Sequence, residues 1–395
     1  MAPLAHKRQF EGQARIWAAR PASLEELRIN DEQDMGFSPM FNPITPSITK
    51  QDRTDLLERI ASFSKSAQTF DKLRKLTVAG DATDVMILYE ILMDRCPALD
   101  ELSFSDVGFP WDDENSGMVR LISQGSPKGW KTLGLSESVD WEDGPQVVEA
   151  VLKHAATLEN VRITTRESVF PSAAIQKLLC TAPNLKRFDT IPSQRDRYCE
   201  PTMLLADDII KSKQGWVCSE LESFKCMIGG IPRPDLQRRT NHRRLHGDLH
   251  DPNVYSREQS QEIQRKVMAQ LGQLTKLREI TLGQDSVNSE YWEEDFSQDD
   301  EDEEEEYSCD IQLGMQYECL TMTLEDGLNQ LKGLKLMRRL KLLRMQHGQG
   351  VEEKKWMKEN WPVYGKESKD SFWADQGRWV YVGSRQYNKY DNPAH

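Results

Sequence analysis

The chain has 395 residues, 38 % of them hydrophobic, and a formal net charge of -13 at pH 7. Its first ten residues lack an apolar run, and its longest apolar stretch, near residues 85–93, is interrupted by Tyr89 and Glu90. Neither a signal peptide nor a membrane span is therefore expected. Seven cysteines, an odd number without a CxxC pair, indicate reduced and mostly buried thiols in the cytoplasm or nucleus.

A six-residue pattern, apolar-x-x-apolar-x-apolar, recurs nine times along the chain. It begins at Leu24, Leu73, Leu99, Trp130, Leu158, Leu185, Leu221, Leu277 and Met337, and only Thr190, which ends the sixth copy, breaks the apolar rule. The spacings between residues 73 and 185 are 26, 31, 28 and 27, which is a leucine-rich-repeat period. The last two apolar positions share one side of a strand, so each copy predicts a short strand that a helix must cover.

Helical signals lie between these strands. Helices are predicted to begin at Thr83, Pro145, Pro171 and Ser256, and a last helix is predicted over 351–361. Ser256 and Gln259 resemble a capping box, and Gly272 can end that helix. Residues 55–63 suggest one further helix, and residues 378–382 an isolated strand.

These elements predict an α/β fold, a leucine-rich-repeat solenoid shaped as a horseshoe, with parallel strands on the concave face and helices on the convex face. The predicted solenoid covers 21–345, between an N-terminal flank at 1–20 and a C-terminal cap and tail at 346–395. Two loop insertions interrupt it. Residues 229–255 are rich in Arg, His, Pro and Gly, and residues 284–318 are acidic and predicted to be disordered.

The negative charge is concentrated in one part of the chain. Residues 279–331 contain eighteen Asp and Glu and no Lys or Arg, so the total of -13 leaves +5 for the remainder. An acidic segment is thus inserted into a mildly basic body. Its run at 299–306, flanked by aromatic residues, could recruit a basic partner, although such runs are more often solvated.

Four segments resemble a fungal family of leucine-rich-repeat proteins of F-box-like and ribonuclease-inhibitor-like type. They are CSELESFKCMIGGIPRPDL at 218–236, QRKVMAQLGQLTKLREITLG at 264–283, YECLTMTLEDGLNQLKGL at 317–334 and WMKENWP at 356–362. The resemblance implies a solenoid with a recognition surface, in some members joined through an F-box to a ubiquitin-ligase adaptor. The first residues here lack the leucine-proline helix opening of an F-box. The family implies no catalytic residues.

The polar residues of each strand pattern are predicted to project from the concave face, because they alternate with buried positions. These candidate partner-binding residues are Lys75, Thr77, Glu101, Ser103, Asn160, Arg162, Arg187, Asp189, Ser223, Lys225, Arg339 and Lys341. A protein or peptide partner is expected there. No cofactor or membrane is expected, and the oligomeric state is left open.

Two further clusters of polar residues each have a functional and a simpler interpretation. His242, His246 and His250 have helical spacing and could bind zinc, but Gly247 and Pro252 favour a polar loop. The basic cluster of Arg238, Arg239, Arg243 and Arg244 could bind nucleic acid or direct nuclear import, but it lacks interleaved aromatics, so nucleic acid is not expected. A solvated loop that the acidic insertion could attract is favoured.

The sequence lacks GxxxxGK[ST], GxGxxG, HExxH and GxSxG motifs, so an enzyme is not expected. The prediction is a non-catalytic interaction module, extended by the family resemblance to a substrate-recognition subunit of a ubiquitin-ligase-type assembly. The alternative is an acidic leucine-rich chaperone or regulator that binds basic proteins through residues 293–306.

Overall fold

The structure is a computed structural model, and it describes residues 26–30, 69–79, 93, 95–105, 115–125, 128–136, 144–164, 170–191, 202–234, 256–283, 319–343, 345 and 347–365. The chain divides into two compact units, Met1–Tyr364 and Gly365–His395. All described residues except Gly365 belong to the first unit.

Nine parallel strands form one sheet, in which they follow one another in the same order as along the chain. A tenth strand pairs with one of them outside this order. They are β1 (Glu26–Asn30), β2 (Lys75–Ala79), β3 (Glu101–Ser105), β4 (Thr132–Ser136), β5 (Asn160–Thr164), β6 (Arg187–Asp189), β8 (Ser223–Gly229), β9 (Glu279–Gly283) and β10 (Arg339–Leu343). Each coincides with one copy of the apolar pattern. The predicted α/β class and the parallel pairing of these strands are therefore confirmed.

The extra strand, β7 (Met203–Leu205), pairs in parallel with the second half of β8. The first half of β8 pairs with β6, which is only three residues long. β6 and β7 are therefore both short, and each pairs with one half of the longer strand β8. Neither the sequence pattern nor its spacing predicted β7.

Six α-helices and one 3₁₀ helix are found among the described residues. They are α1 (Asn115–Gln124), α2 (Gly144–Leu152), α3 (Ser172–Thr181), α4 (Ala206–Lys211), α5 (Arg257–Gly272), the 3₁₀ helix (Leu328–Gly333) and α6 (Val351–Asn360). The capping box is present, since Ser256 Oγ accepts from Gln259 N and Gln259 Oε1 accepts from Ser256 N. Pro171 is the N-cap of α3 rather than its first residue.

The core lies between the sheet and the helices. From Leu73 to Leu282, every motif position whose side chain is described is at most 3 % exposed, including Thr190. Consecutive helices contact one another from α1 to the 3₁₀ helix, and their buried residues belong to the same core as the strand residues. The helices thus cover one side of the sheet.

Thr190 fits this core because its hydroxyl has partners. Thr190 Oγ1 donates to Thr202 O at 3.2 Å, and Lys225 O lies 3.5 Å away. A buried hydroxyl without such partners would be costly. The threonine therefore connects the end of β6 to the residue that precedes β7.

From β2 to β10, the same main-chain junction joins each repeat to the next. The carbonyl of the residue just before a strand accepts from two successive N–H groups of the following repeat, as Arg74 O does from Asp100 N and Glu101 N at 3.0 and 2.9 Å. Six further carbonyls repeat this arrangement: Asp100, Lys131, Glu159, Lys186, Glu222 and Arg278. The junctions hold consecutive strands in one register.

The side chains at these junctions alternate in charge and form what we call the charge ladder. Its members are Arg74, Asp100, Lys131, Glu159, Lys186, Glu222, Arg278 and Arg338. Arg74 Nη2 and Lys131 Nζ lie 2.7 and 3.0 Å from Asp100 Oδ2, and Lys186 Nζ lies 2.6 Å from Glu159 Oε2. Alternation ends at Arg278 and Arg338, which have the same sign.

The predicted insertion at 229–255 and the predicted cap each contain described residues. Gly229 ends β8, Ile231 is fully buried, and buried Arg233 donates from Nη1 to Cys319 O at 3.2 Å. The helix predicted over 351–361 is α6, and its Met357 and the following Trp361 are buried in the common core. The predicted helices at 55–63 and from Thr83, the strand at 378–382 and the acidic insertion at 284–318 lie outside the described residues.

Candidate functional site

The sheet presents two continuous rows of mainly polar residues on the side away from the helices. The first polar row is Lys75, Glu101, Thr132, Asn160, Arg187, Ser223, Glu279 and Arg339, and the second is Thr77, Ser103, Gly134, Arg162, Asp189, Lys225, Thr281 and Lys341. We call both rows together the polar face. With strands spaced about 4.8 Å apart, its eight strands span about 34 Å.

All twelve predicted residues lie on the polar face, because the parallel register keeps equivalent motif positions side by side. Thr132, Gly134, Glu279 and Thr281 share these rows and were missed. They occupy the same positions of the pattern, so its spacing alone could have identified them.

Thr77 is the exception to the predicted exposure. It lies in the second polar row, yet it is only 8 % exposed, and Thr281 in the same row is 6 % exposed. Thr77 therefore offers little contact area to a partner.

The centre of the polar face carries exposed guanidinium groups. Arg162 and Arg187 are both exposed, and within the described part of the chain neither forms an ion pair. Beside Arg162, the backbone of Gly134 is approached closely by Ser103, since an added Cβ would lie 2.9 Å from Ser103 Oγ. Next to Arg187, Asn160 Nδ2 donates to Thr132 Oγ1 at 3.1 Å.

The acids of the polar face are mostly neutralised by neighbours in the same row. Lys225 Nζ lies 3.1 Å from Asp189 Oδ2, and Ile191 N donates to Asp189 Oδ1 at 3.1 Å. Arg339 Nη1 lies 3.5 Å from Glu279 Oε1. The two rows together contain six basic residues and three acidic ones, so the polar face as a whole carries a net positive charge.

The described thiols and one histidine are buried on the other side of the sheet. Five cysteines, Cys96, Cys180, Cys218, Cys226 and Cys319, are free and buried. Burial raises the pKa of Cys96, Cys218 and Cys226 to about 12, so these thiols stay protonated at neutral pH. His154 Nε2 donates to Ile122 O at 2.6 Å, and burial lowers the pKa of its imidazole.

The other candidate clusters lie outside the described residues. These are the histidines at 242–250, the arginines at 238–244 and the acidic run at 299–306. Across the described ranges, His, Cys, Asp and Glu side chains form no group of three or more that could hold a metal ion. In the same ranges, no helix combines the length and apolarity that a membrane span requires.

A search against models of protein families finds no match for this chain. A search of well-characterised proteins finds no significant match either. The resemblance to fungal leucine-rich-repeat proteins therefore stays a prediction, and the functional argument depends on the polar face itself.

Proposed function

We propose that this chain is a leucine-rich-repeat solenoid and a non-catalytic interaction module that binds a protein or peptide on its polar face. Nine parallel strands in chain order, each at one copy of the repeat pattern, support the solenoid. The observation that carries the function is the polar face, a continuous surface whose centre holds two exposed arginines without ion-pair partners in the described part of the chain.

The charge of this surface favours a partner with acidic side chains. A guanidinium binds a carboxylate through two parallel hydrogen bonds, and arginine is enriched among residues that dominate binding energy. Arg162 and Arg187 have free capacity for such bonds, whereas Lys225 and Arg339 already contact acids of their own row. A segment rich in Asp or Glu that lies across β5 and β6 would supply carboxylates to accept hydrogen bonds from both arginines.

Two extensions of this proposal come from the sequence. The family resemblance extends the interaction module to substrate recognition in a ubiquitin-ligase-type assembly in the cytoplasm or nucleus. The second candidate function is a chaperone or regulator that binds basic proteins through residues 293–306, favoured by the concentration of acids there.

Charge reversal with matched controls tests the proposal. The test variant carries Arg162→Glu and Arg187→Glu, and the control carries Lys153→Glu and Lys177→Glu, two exposed lysines after α2 and within α3 of the same repeats. Affinity capture with quantitative mass spectrometry then compares the proteins retained by each full-length chain. We expect a set of acidic partners that the control retains and the test variant loses.

The same capture separates the two functions. If partners are basic proteins, stay bound to the double arginine variant, and are lost only when residues 293–306 are deleted, the polar face is not the binding surface. Equal retention by all variants would also contradict the proposal. Circular dichroism and the Tm of each variant establish that the fold is intact before capture.

A further inference from the structure

Strand β10 ends the described sheet with its inward side incompletely covered. At the first inward position, the equivalent residues of the six preceding strands are at most 3 % exposed: Leu102, Leu133, Val161, Phe188, Phe224 and Ile280. Leu340, in register with Ile280, is only partly buried, as is Leu342. Leu336, just before the strand, is 43 % exposed. A further strand beside β10 would remove this apolar surface from water.

Helix α6 does not supply that cover. Trp361 Nε1 donates to Leu331 O at 3.0 Å, Leu324 N donates to Glu353 Oε1 at 3.3 Å, and Met357 is fully buried. These contacts place α6 against the 3₁₀ helix and the turn before it. The helical layer is therefore closed at this end, while the strand layer keeps partly exposed leucines.

The main chain of β10 is oriented to accept another strand. Arg339 N donates to Arg278 O toward β9. In a parallel ladder alternate residues bond to opposite neighbours, so the N–H and C=O groups of Leu340 and Leu342 point away from β9. None of the described strands lies on that side of β10.

The charge ladder indicates which residue is missing there. At its first six junctions, from Arg74 to Arg278, the two residues joined through the main chain carry opposite charges. At the seventh, Arg278 and Arg338 are both positive. Arg338 is exposed, and it forms no ion pair with any residue that the structure describes. An acid at the next position of the ladder would restore the alternation.

We propose that the edge of β10 binds an extended segment of a partner protein, which adds to the sheet as a parallel strand. The segment has the pattern acid-x-apolar-x-apolar, with its carboxylate beside Arg338 and its apolar residues beside Leu340 and Leu342. This strand addition is a second interaction surface, separate from the polar face. Two β10 edges related by a two-fold axis would pair antiparallel and leave Arg338 without its acid, so a second copy is not the proposed occupant.

The test uses a peptide of known sequence with the required pattern. Residues 155–165 of this chain, AATLENVRITT, carry Glu159, Val161 and Ile163 at the three positions. Fluorescence anisotropy measures the Kd of the labelled, end-blocked peptide for the full-length chain. We expect saturable binding that weakens about tenfold when the peptide carries Glu159→Lys or the protein carries Arg338→Glu.

A charge exchange makes the test specific. The Arg338→Glu protein should bind the Glu159→Lys peptide better than the unmodified peptide, because opposite charges again meet. The control protein carries Lys332→Glu, an exposed lysine of the 3₁₀ helix, and should bind like the unmodified chain. The double variant at Arg162 and Arg187 should also bind this peptide normally, which separates this proposal from the function of the polar face.

Hydrogen exchange locates the bound peptide. The amides of Leu340 and Leu342 should exchange more slowly on binding, whereas the amide of Lys341 already faces β9 and should change little. The proposal is overturned by an absence of saturable binding up to about 1 mM, by an Arg338→Glu protein that binds normally, or by protection confined to the polar face. Sedimentation velocity that shows self-association dissolved by the peptide would assign the edge to a second copy and also overturn it.

Discussion

A single buried histidine shows how one residue can make this protein sensitive to pH. His154 Nε2 and Trp130 Nε1 both donate to Ile122 O, at 2.6 and 3.0 Å. An imidazole that is buried in this way is kept neutral, and its pKa is lowered from the ordinary 6.5 mainly by burial. Burial also lowers the pKa of half-buried His347.

We predict that the protein loses stability as the solution becomes mildly acidic. A histidine whose pKa is lower in the folded state than in the unfolded state stabilises the fold fully at pH values above its unfolded pKa of 6.5. That stabilisation is lost as the pH falls below 6.5, because the unfolded chain then binds a proton that the folded chain does not. The free energy of unfolding, measured by urea denaturation at several pH values, should be flat from pH 8 to 7. Below 6.5 it should fall by up to about 1.4 kcal/mol per pH unit for each histidine.

Substitution identifies the histidines responsible. Each of His154→Gln and His347→Gln should flatten part of the slope between pH 6.5 and 5, and the double variant should flatten most of it. An unchanged slope in the double variant would show that other groups, outside this pair, control the pH dependence.

At the scale of single elements, identical positions of the repeat differ in how much they stabilise the fold. Leu133 in β4 is 1 % exposed, whereas Leu340 in β10 occupies the same register position and is only partly buried. A substitution in the interior leaves a closed cavity, but at the edge water can fill the space.

We predict that Leu133→Ala lowers the free energy of unfolding by about 2 to 5 kcal/mol and Leu340→Ala by less than about 2 kcal/mol. Urea denaturation with a shared m-value measures both. A Leu340→Ala variant as unstable as Leu133→Ala would mean that β10 is covered in solution, and would point to an occupant of its edge.

The repeat pattern predicted the strands well because each copy combines alternation with a large apolar residue before the strand, which is Trp130 in the fourth copy, Met337 in the ninth and leucine in the others. Four described elements were not predicted: β7, α1, α4 and the 3₁₀ helix. β7 has three residues, too few to show alternation, and it is held by pairing with β8 rather than by its own pattern. α4 has six residues, less than two helical turns, so no apolar periodicity could develop.

The polar face was predictable for the same reason, since alternation places polar strand positions on one side. The charge ladder was not. Its members lie at the second position of each pattern, and their opposite signs become meaningful only when the sheet sets Arg74 beside Asp100 and Glu159 beside Lys186. The close approach of Ser103 to the backbone of Gly134 likewise becomes visible only when β3 and β4 lie side by side.

At the scale of the whole molecule, the charge ladder connects repeats that are far apart in sequence. Asp100 is its most buried acid, and its carboxylate contacts cations from the repeats on both sides. Burial acts to raise the pKa of this carboxyl, but hydrogen bonds from Arg74 and Lys131 outweigh it and hold the pKa below its usual value of 3.8. The ladder is therefore a source of stability that salt can screen.

We predict that Asp100→Asn lowers the free energy of unfolding by about 1 kcal/mol at low salt and by less at high salt. Urea denaturation at about 0.05 M and about 1 M NaCl measures the free energy of unfolding under both conditions. The control is Glu149→Gln, an exposed acid of α2 outside the charge ladder, for which little change is expected. A cost for Asp100→Asn that does not depend on salt would mean that packing, rather than charge, gives this residue its role.

Because β6 and β7 pair with different halves of β8, the order of segments along the polypeptide can be changed without removing a strand pair. β8 is paired along its length by two separate segments, with Asp189 beside Lys225 and Met203 beside Met227. The covalent link between those segments, residues 192–201, adds no strand to the ladder of pairs that the structure describes. Since both segments are held by hydrogen bonds to β8, the polypeptide can be opened at this link. New termini placed there, with the original ends joined by a flexible linker, would give a circular permutant that keeps every described strand pair.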